Sequence, residues 1–227
     1  MKTFKKLYIF SLLFPYLALA DGVAIDKVYH PYVHAQETEI ESRIISTGDN
    51  QLYRLGVGQS LSERVFIEGY LITGSSQDTS SIRAFEIEAL FQLTEQGEYA
   101  ADWGLIIEIE NNRRVDTWEL ATGLLMERQW GKWIGTANVH VIYEWGDKIS
   151  SEFESSLASQ IRYRYARYFE PAIEFYSSES GQALGPVLTG DIRFRAAKKL
   201  HWEIGALAGL GSKVPDTNFR LLLEYEF

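Results

Sequence analysis

From Glu37 to Phe227 apolar residues recur at every second position, in runs broken by clusters of Gly, Asn, Asp, Ser and Lys. A period of two marks strands with one apolar face, because successive side chains point to opposite sides of the backbone. The clearest runs are Val65, Ile67, Gly69 and Leu71; Phe85 to Leu93; Trp103 to Ile109; and Trp133 to Trp145. Others are Leu157 to Tyr165, Phe169 to Phe175, Leu188 to Phe194, Leu200 to Leu210 and Phe219 to Phe227. With weaker segments near 38–46, 51–61 and 116–127, the pattern predicts about twelve strands, ten being possible. Spread over this stretch, twelve strands leave about 16 residues each with a connection, which accommodates the roughly 9–11 residues of a membrane-crossing strand.

Alternation alone does not say which face is outside. A soluble barrel or sandwich points its apolar face inward, and a membrane barrel points it outward. Aromatic residues gather near the ends of the apolar runs, among them Trp103, Trp118, Trp133, Trp145, Phe169, Phe194, Trp202 and Phe227, as two interfacial girdles require. The opposite parity carries small gaps such as Gly56, Gly58, Gly104 and Gly123. No charge interrupts the middle of an apolar run, and Arg83, which shares that parity, is expected at a strand end.

The first twenty residues read differently. Lys2, Lys5 and Lys6 precede an apolar stretch from Leu7 to Leu19 and the small-x-small ending Ala18-Leu19-Ala20, the form of a secretory signal peptide. Residues 21–36 then form an irregular periplasmic lead-in that packs against the barrel end or partly enters it, and 37–227 form the barrel. Without the leader, 19 basic residues face 31 acidic ones, a net −12, so nucleic acid is a poor partner. With no cysteine, neither a disulfide nor a lipid anchor holds the exported chain.

The chain stops on Phe219-Arg220-Leu221-Leu222-Leu223-Glu224-Tyr225-Glu226-Phe227, an alternating strand with a terminal phenylalanine. This resembles the C-terminal strand of Gram-negative outer-membrane β-barrel proteins. The resemblance implies a transmembrane antiparallel up-and-down β-barrel in the cell outer membrane, in contact with its lipid, with Phe227 read by the barrel assembly machinery. With both termini on the periplasmic side, connections such as Ser177–Gly185 and Gly211–Thr217 are expected outside and a mostly tighter set inside.

The inward parity is charged and sectored. The fourth to seventh strands contribute eight acids and no base, while the eighth to twelfth mix the signs. Candidate pore-lining residues are Glu86, Glu88, Glu108, Glu110, Glu119, Glu144, Arg162, Arg164, Glu170, Glu174, Arg193 and Arg195. A tight turn about Arg167–Tyr168 would set Arg162 opposite Glu174, and a loop near Gly181 would set Arg193 opposite Glu170. Twelve strands lie between the filled eight-stranded barrel and the open porins of 16–18, so a narrow porin-like channel for small polar solutes, with mild cation preference, is expected. The alternative is a closed barrel with a structural or surface-interaction role.

An outer-membrane lipid- or peptide-hydrolysing enzyme is a third reading. His140 and His201 face inward, but no serine near them carries a recognisable motif, and no catalytic residue is assigned. His30 and His34 have metal-like spacing, but Pro31 opposes the helix that would align them and two ligands are too few. No cofactor motif appears.

Overall fold

The computed structural model describes residues 25–48, 50–76, 79–195 and 198–227. The leader at 1–20 lies outside them. Twelve strands follow one another in sequence: β1 (Thr38–Thr47), β2 (Asn50–Ser62), β3 (Val65–Ser76), β4 (Thr79–Gln92), β5 (Asp102–Asn112), β6 (Thr117–Trp130), β7 (Trp133–Gly146), β8 (Glu152–Tyr163), β9 (Glu170–Ser178), β10 (Gly181–Arg193), β11 (Lys199–Leu210) and β12 (Asn218–Glu226). Each pairs antiparallel with its sequence neighbour, and β1 pairs with β12, which closes the barrel. Thr38 and Phe227 exchange two backbone hydrogen bonds, so β1 starts and the chain ends at one rim, here the terminal end.

The apolar parity faces outward. Ile87, Val139, Val141, Ile173 and Ile204 are exposed well inside their strands, while the acids alternating with them, Glu86, Glu88, Glu174 and Glu203, are buried. A polar interior inside an apolar band is the arrangement a bilayer requires, and the closed ladder leaves no unpaired edge. The barrel is transmembrane. Aromatic ladders mark the band's edges: Trp118 stacks on Trp145, which stacks on Tyr143, which meets Phe153 at the far end.

Four expectations change. The β8–β9 connection is closed by a bridge between Ala166 and Phe169, and Arg162 faces Ala172 while Gln160 faces Glu174. Between β9 and β10 the chain turns on residues 179–180, with Gly181 at a φ of 127°, so Glu170 faces Thr189 rather than Arg193. Both strands run closer to the turn than the polar composition implies, and the register moves with the turn. Arg83 is not on the outer face: a bulge pairs Ile72 with Ala84 and Thr73 with Ile82, and the extra residue turns Arg83 into the lumen over Gly74. Nor do connections grow toward one end. The longest runs from Leu93 to Ala101 at the terminal end, and three at the far end have two residues.

Candidate functional site

The lumen is occupied by the protein's own residues 25–37, which run from the far half down to the terminal rim. Ile25 and Val28 pack with Ala158, Tyr176, Ala183, Leu207 and Val214, and Tyr29 packs with Ile106 and Leu125. Residues 21–36 were expected at the barrel end or partly within it; those described pass through its middle.

Polar contacts hold this segment along its length. The Tyr29 backbone N–H donates to Asn138 Oδ1 at 2.7 Å, and Asn138 Nδ2 donates back to the Tyr29 carbonyl at 2.9 Å. The Tyr29 hydroxyl donates to Glu88 at 2.7 Å and the Tyr32 hydroxyl to Asp102 at 2.7 Å, while Val33 N–H reaches Gln92 Oε1 at 2.8 Å. Lys27 Nζ lies 2.5 Å from Glu41, and His30 Nδ1 lies 2.5 Å from Glu127, which also accepts from Thr136. Asp26 pairs with Arg43 and Arg54 through its carboxylate, and its carbonyl accepts from Arg220 and Tyr176. Such bonds matter doubly here, because a buried polar group left unpaired costs about 1–3 kcal/mol.

Outside the strands, burial acts with local charge at the terminal rim. Burial and the nearby Lys199 lower the pKa of His34, and burial with a hydrogen bond shared with Glu226 pushes the Glu37 carboxyl up to about 8.

Among the described residues, spaces remain on both sides of the segment. A cavity of about 230 Å³ toward the far end is lined by Glu86, Glu108, Glu110, Glu119 and Glu144, with Lys27, Arg54 and Arg83 as its cations. Cross-strand pairing sets Glu86, Glu110, Glu119, Glu144 and Glu152 side by side on β4 to β8. Like charges directly opposite repel, so this ladder stores an unfavourable field that a cation relieves. A vestibule of about 770 Å³ at the terminal end carries Arg162, Arg164, Arg193, Lys132 and Lys199 against Glu127, Glu170 and Asp191. A smaller cavity of about 160 Å³ lies against the segment and takes in Glu88.

The predicted lining residues thus divide. Glu86, Glu108, Glu110, Glu119 and Glu144 gather in the far cavity, and Arg162, Arg164, Glu170 and Arg193 in the vestibule. Arg162 Nε lies 3.4 Å from Glu170, four residues from the expected partner. Glu174 is fully buried against Arg220, Gln160 and Tyr176, and Arg195 lies exposed beyond β10, away from all three spaces. Sequence reasoning missed Asn138, Gln92, Tyr70 and Tyr176, polar or aromatic residues on the inward parity whose partners are distant in the chain. Ser156 faces His140 across β7 and β8 without a hydrogen bond, and His140 Nε2 lies 3.7 Å from Glu108, while His201 meets Asp191 at 2.7 Å through Nδ1 and Thr189 and Glu203 at 3.2 and 3.3 Å through Nε2.

No protein-family model matches the chain, and no curated protein does. Solved structures share its fold. The NanC porin aligns with a TM-score of 0.56 at 10% identity, over 84% of this chain and 98% of that one. The COG4313 outer membrane channel from Pseudomonas putida F1 aligns at 0.55 and 16%, over 89% and 98%. The KdgM porin, solved in complex with disordered oligogalacturonate, aligns at 0.55 and 11%, over 83% and 99%. The fold is that of small outer-membrane channels.

Proposed function

We propose that the chain is an exported, porin-like channel of the Gram-negative outer membrane, passing small polar solutes with mild cation preference, and that residues 25–37 limit its flow. The reading rests on one observation above the others: five glutamates stand side by side across β4 to β8, and those of β4 to β7 line the far cavity. A low-dielectric wall of one sign raises the local concentration of the opposite ion. The terminal end would face the periplasm, and the strand ending in Phe227 would be read by the assembly machinery. The KdgM porin is seen in complex with disordered oligogalacturonate, and this acidic wall favours cationic ligands.

A second reading, a closed barrel with a structural or surface role, draws on the clasp between Asn138 and Tyr29 and its companions. Conductance separates the two. Purified full-length protein in planar bilayers should give small cation-preferring steps; a barrel that inserts, runs heat-modifiable on gels and passes no current would support the closed reading.

A further inference from the structure

Buried in the lumen wall beside the N-terminal segment, Glu39 and Glu41 of β1 and Glu68 of β3 each place a carboxylate oxygen within 4.8 Å of the others. They meet because β2 gives way between them. Glu39 faces Gly58, which faces Glu68, and Glu41 faces Gly56, which faces Tyr70. A Cβ on Gly56 would collide with Glu68 Oε1 and the Tyr70 ring, and one on Gly58 would collide with the Phe66 ring. Gly56 thus clears the space that Glu68 Oε1 enters beside Glu41, and Gly58 makes room for the Phe66 ring between Glu39 and Glu68.

The local charge does not balance. Glu41 takes both Lys27 and Arg43, at 2.5 and 2.7 Å. Glu68 accepts only the Tyr70 hydroxyl, at 2.6 Å, and its Oε1 is buried without a partner. The Glu39 side chain, on a residue 8% exposed, forms no hydrogen bond or ion pair among the described residues. Two buried carboxylates, at 8% and 3% exposure, are left without a cation, and a buried charge without a partner is costly. Both border the cavity of about 160 Å³, which has room for coordinating waters.

We propose that Glu39, Glu41 and Glu68 form a divalent-cation site of the calcium type, seated beside Gly56. All donors are carboxylate oxygens, which suits a hard cation; zinc sites draw on imidazole or thiolate, absent here. Calcium binds oxygen at about 2.3–2.6 Å, so ligands on opposite sides of one ion stand about 4.6–5.2 Å apart, the span of this group. Its two charges match the two acids without an ion pair, while Lys27 and Arg43 hold Glu41.

Calorimetric titration of calcium chloride into the full-length protein, refolded in detergent and freed of metal, tests this. One saturable site is expected, weakened at least tenfold by Glu39→Gln and by Glu68→Gln, and equally by Gly56→Ala. Glu152→Gln, in the far-end group of Glu144, Glu152 and Glu154, should leave it unchanged. No saturable binding by the wild-type protein up to millimolar calcium would overturn the proposal without recourse to variants. So would affinity unchanged in Glu39→Gln, or lost in Glu152→Gln alone. Heat-modifiable migration establishes that each variant is folded before it is scored.

Discussion

The carboxamide of Asn138 on β7 grips both polar groups of the Tyr29 peptide backbone, accepting from its N–H at 2.7 Å and donating to its carbonyl at 2.9 Å. This is how a strand reads an extended chain, yet it is made by one side chain in a lumen. Asn138→Ala removes both bonds and leaves two buried backbone groups unpaired, at about 1–3 kcal/mol each. The segment should loosen while the barrel stays closed, because every strand ladder is untouched. Single-channel conductance is expected to rise severalfold, with no change in heat-modifiable migration. Conductance equal to wild type would mean that the segment does not limit flow.

Glu108 and Glu110 bear on selectivity. Both line the far cavity, and Glu110 lies between Glu86 and Glu119 in the ladder. Changing both to Gln removes two negative charges while keeping shape. The reversal potential under a salt gradient should shift toward lower cation preference, most clearly at low ionic strength, where screening is weakest. An unchanged reversal potential would remove the ladder as the source of any preference.

Much of the architecture follows from local pattern. Period-two alternation needs no knowledge of partners, so twelve strands, the outward face and the acidic sector of Glu86, Glu110, Glu119 and Glu144 are legible from sequence. What is not legible depends on distance or on turns. Residues 25–37 have no period, and their partners are remote: Asn138 is 109 positions from Tyr29. Arg83 follows the outer parity until a bulge displaces it. The register of Arg162 was set by the Ala166–Phe169 bridge, which composition does not announce. Gly56 and Gly58 stand out in the sequence as gaps, but their use appears only when β1 and β3 are placed on either side.

At the terminal rim, acidity should tighten the seat of the N-terminal segment. The Glu37 carboxyl, raised to about 8 by burial and by its hydrogen bond with Glu226, is protonated in the folded protein well above the pH at which it ionises when unfolded. A raised acid pKa stabilises the folded form below the unfolded value, near 4.5, and that contribution is lost as pH rises through about 8. Amide exchange at residues 34–38 is therefore expected to show lower protection at pH 8.5 than at pH 5, after correction for intrinsic rate. Glu37→Gln should flatten the difference, and an equal dependence in that variant would assign it elsewhere.

Backbone approach rather than charge governs Gly185 on β10. A Cβ there would collide with the carbonyl oxygen of Ala206 and lie 2.7 Å from the Leu207 Cα on the neighbouring strand. Gly185→Ala must part β10 from β11 or strain both, and overpacking of this kind costs about 1–3 kcal/mol. The urea midpoint for unfolding from detergent or vesicles should fall, whereas Gly69→Ala, where a Cβ meets nothing within 4 Å, should move it little.

The outward face itself is open to a depth test. Val139 is exposed near the middle of β7, and Phe153 is exposed at the far edge of β8 beside Tyr143. If the exterior is the lipid face, Val139→Arg puts a cation near the midplane at roughly 2–4 kcal/mol, while Phe153→Arg lies where the same charge costs about 0–1 kcal/mol. Unfolding free energies measured in vesicles should show the larger loss at Val139, by about 1.5 kcal/mol at the middle of these ranges once the contact of Phe153 with Tyr143 is counted. Similar penalties for both, or none at Val139, would mean that this band does not sit in hydrocarbon, and the transmembrane placement of the barrel would fall with it.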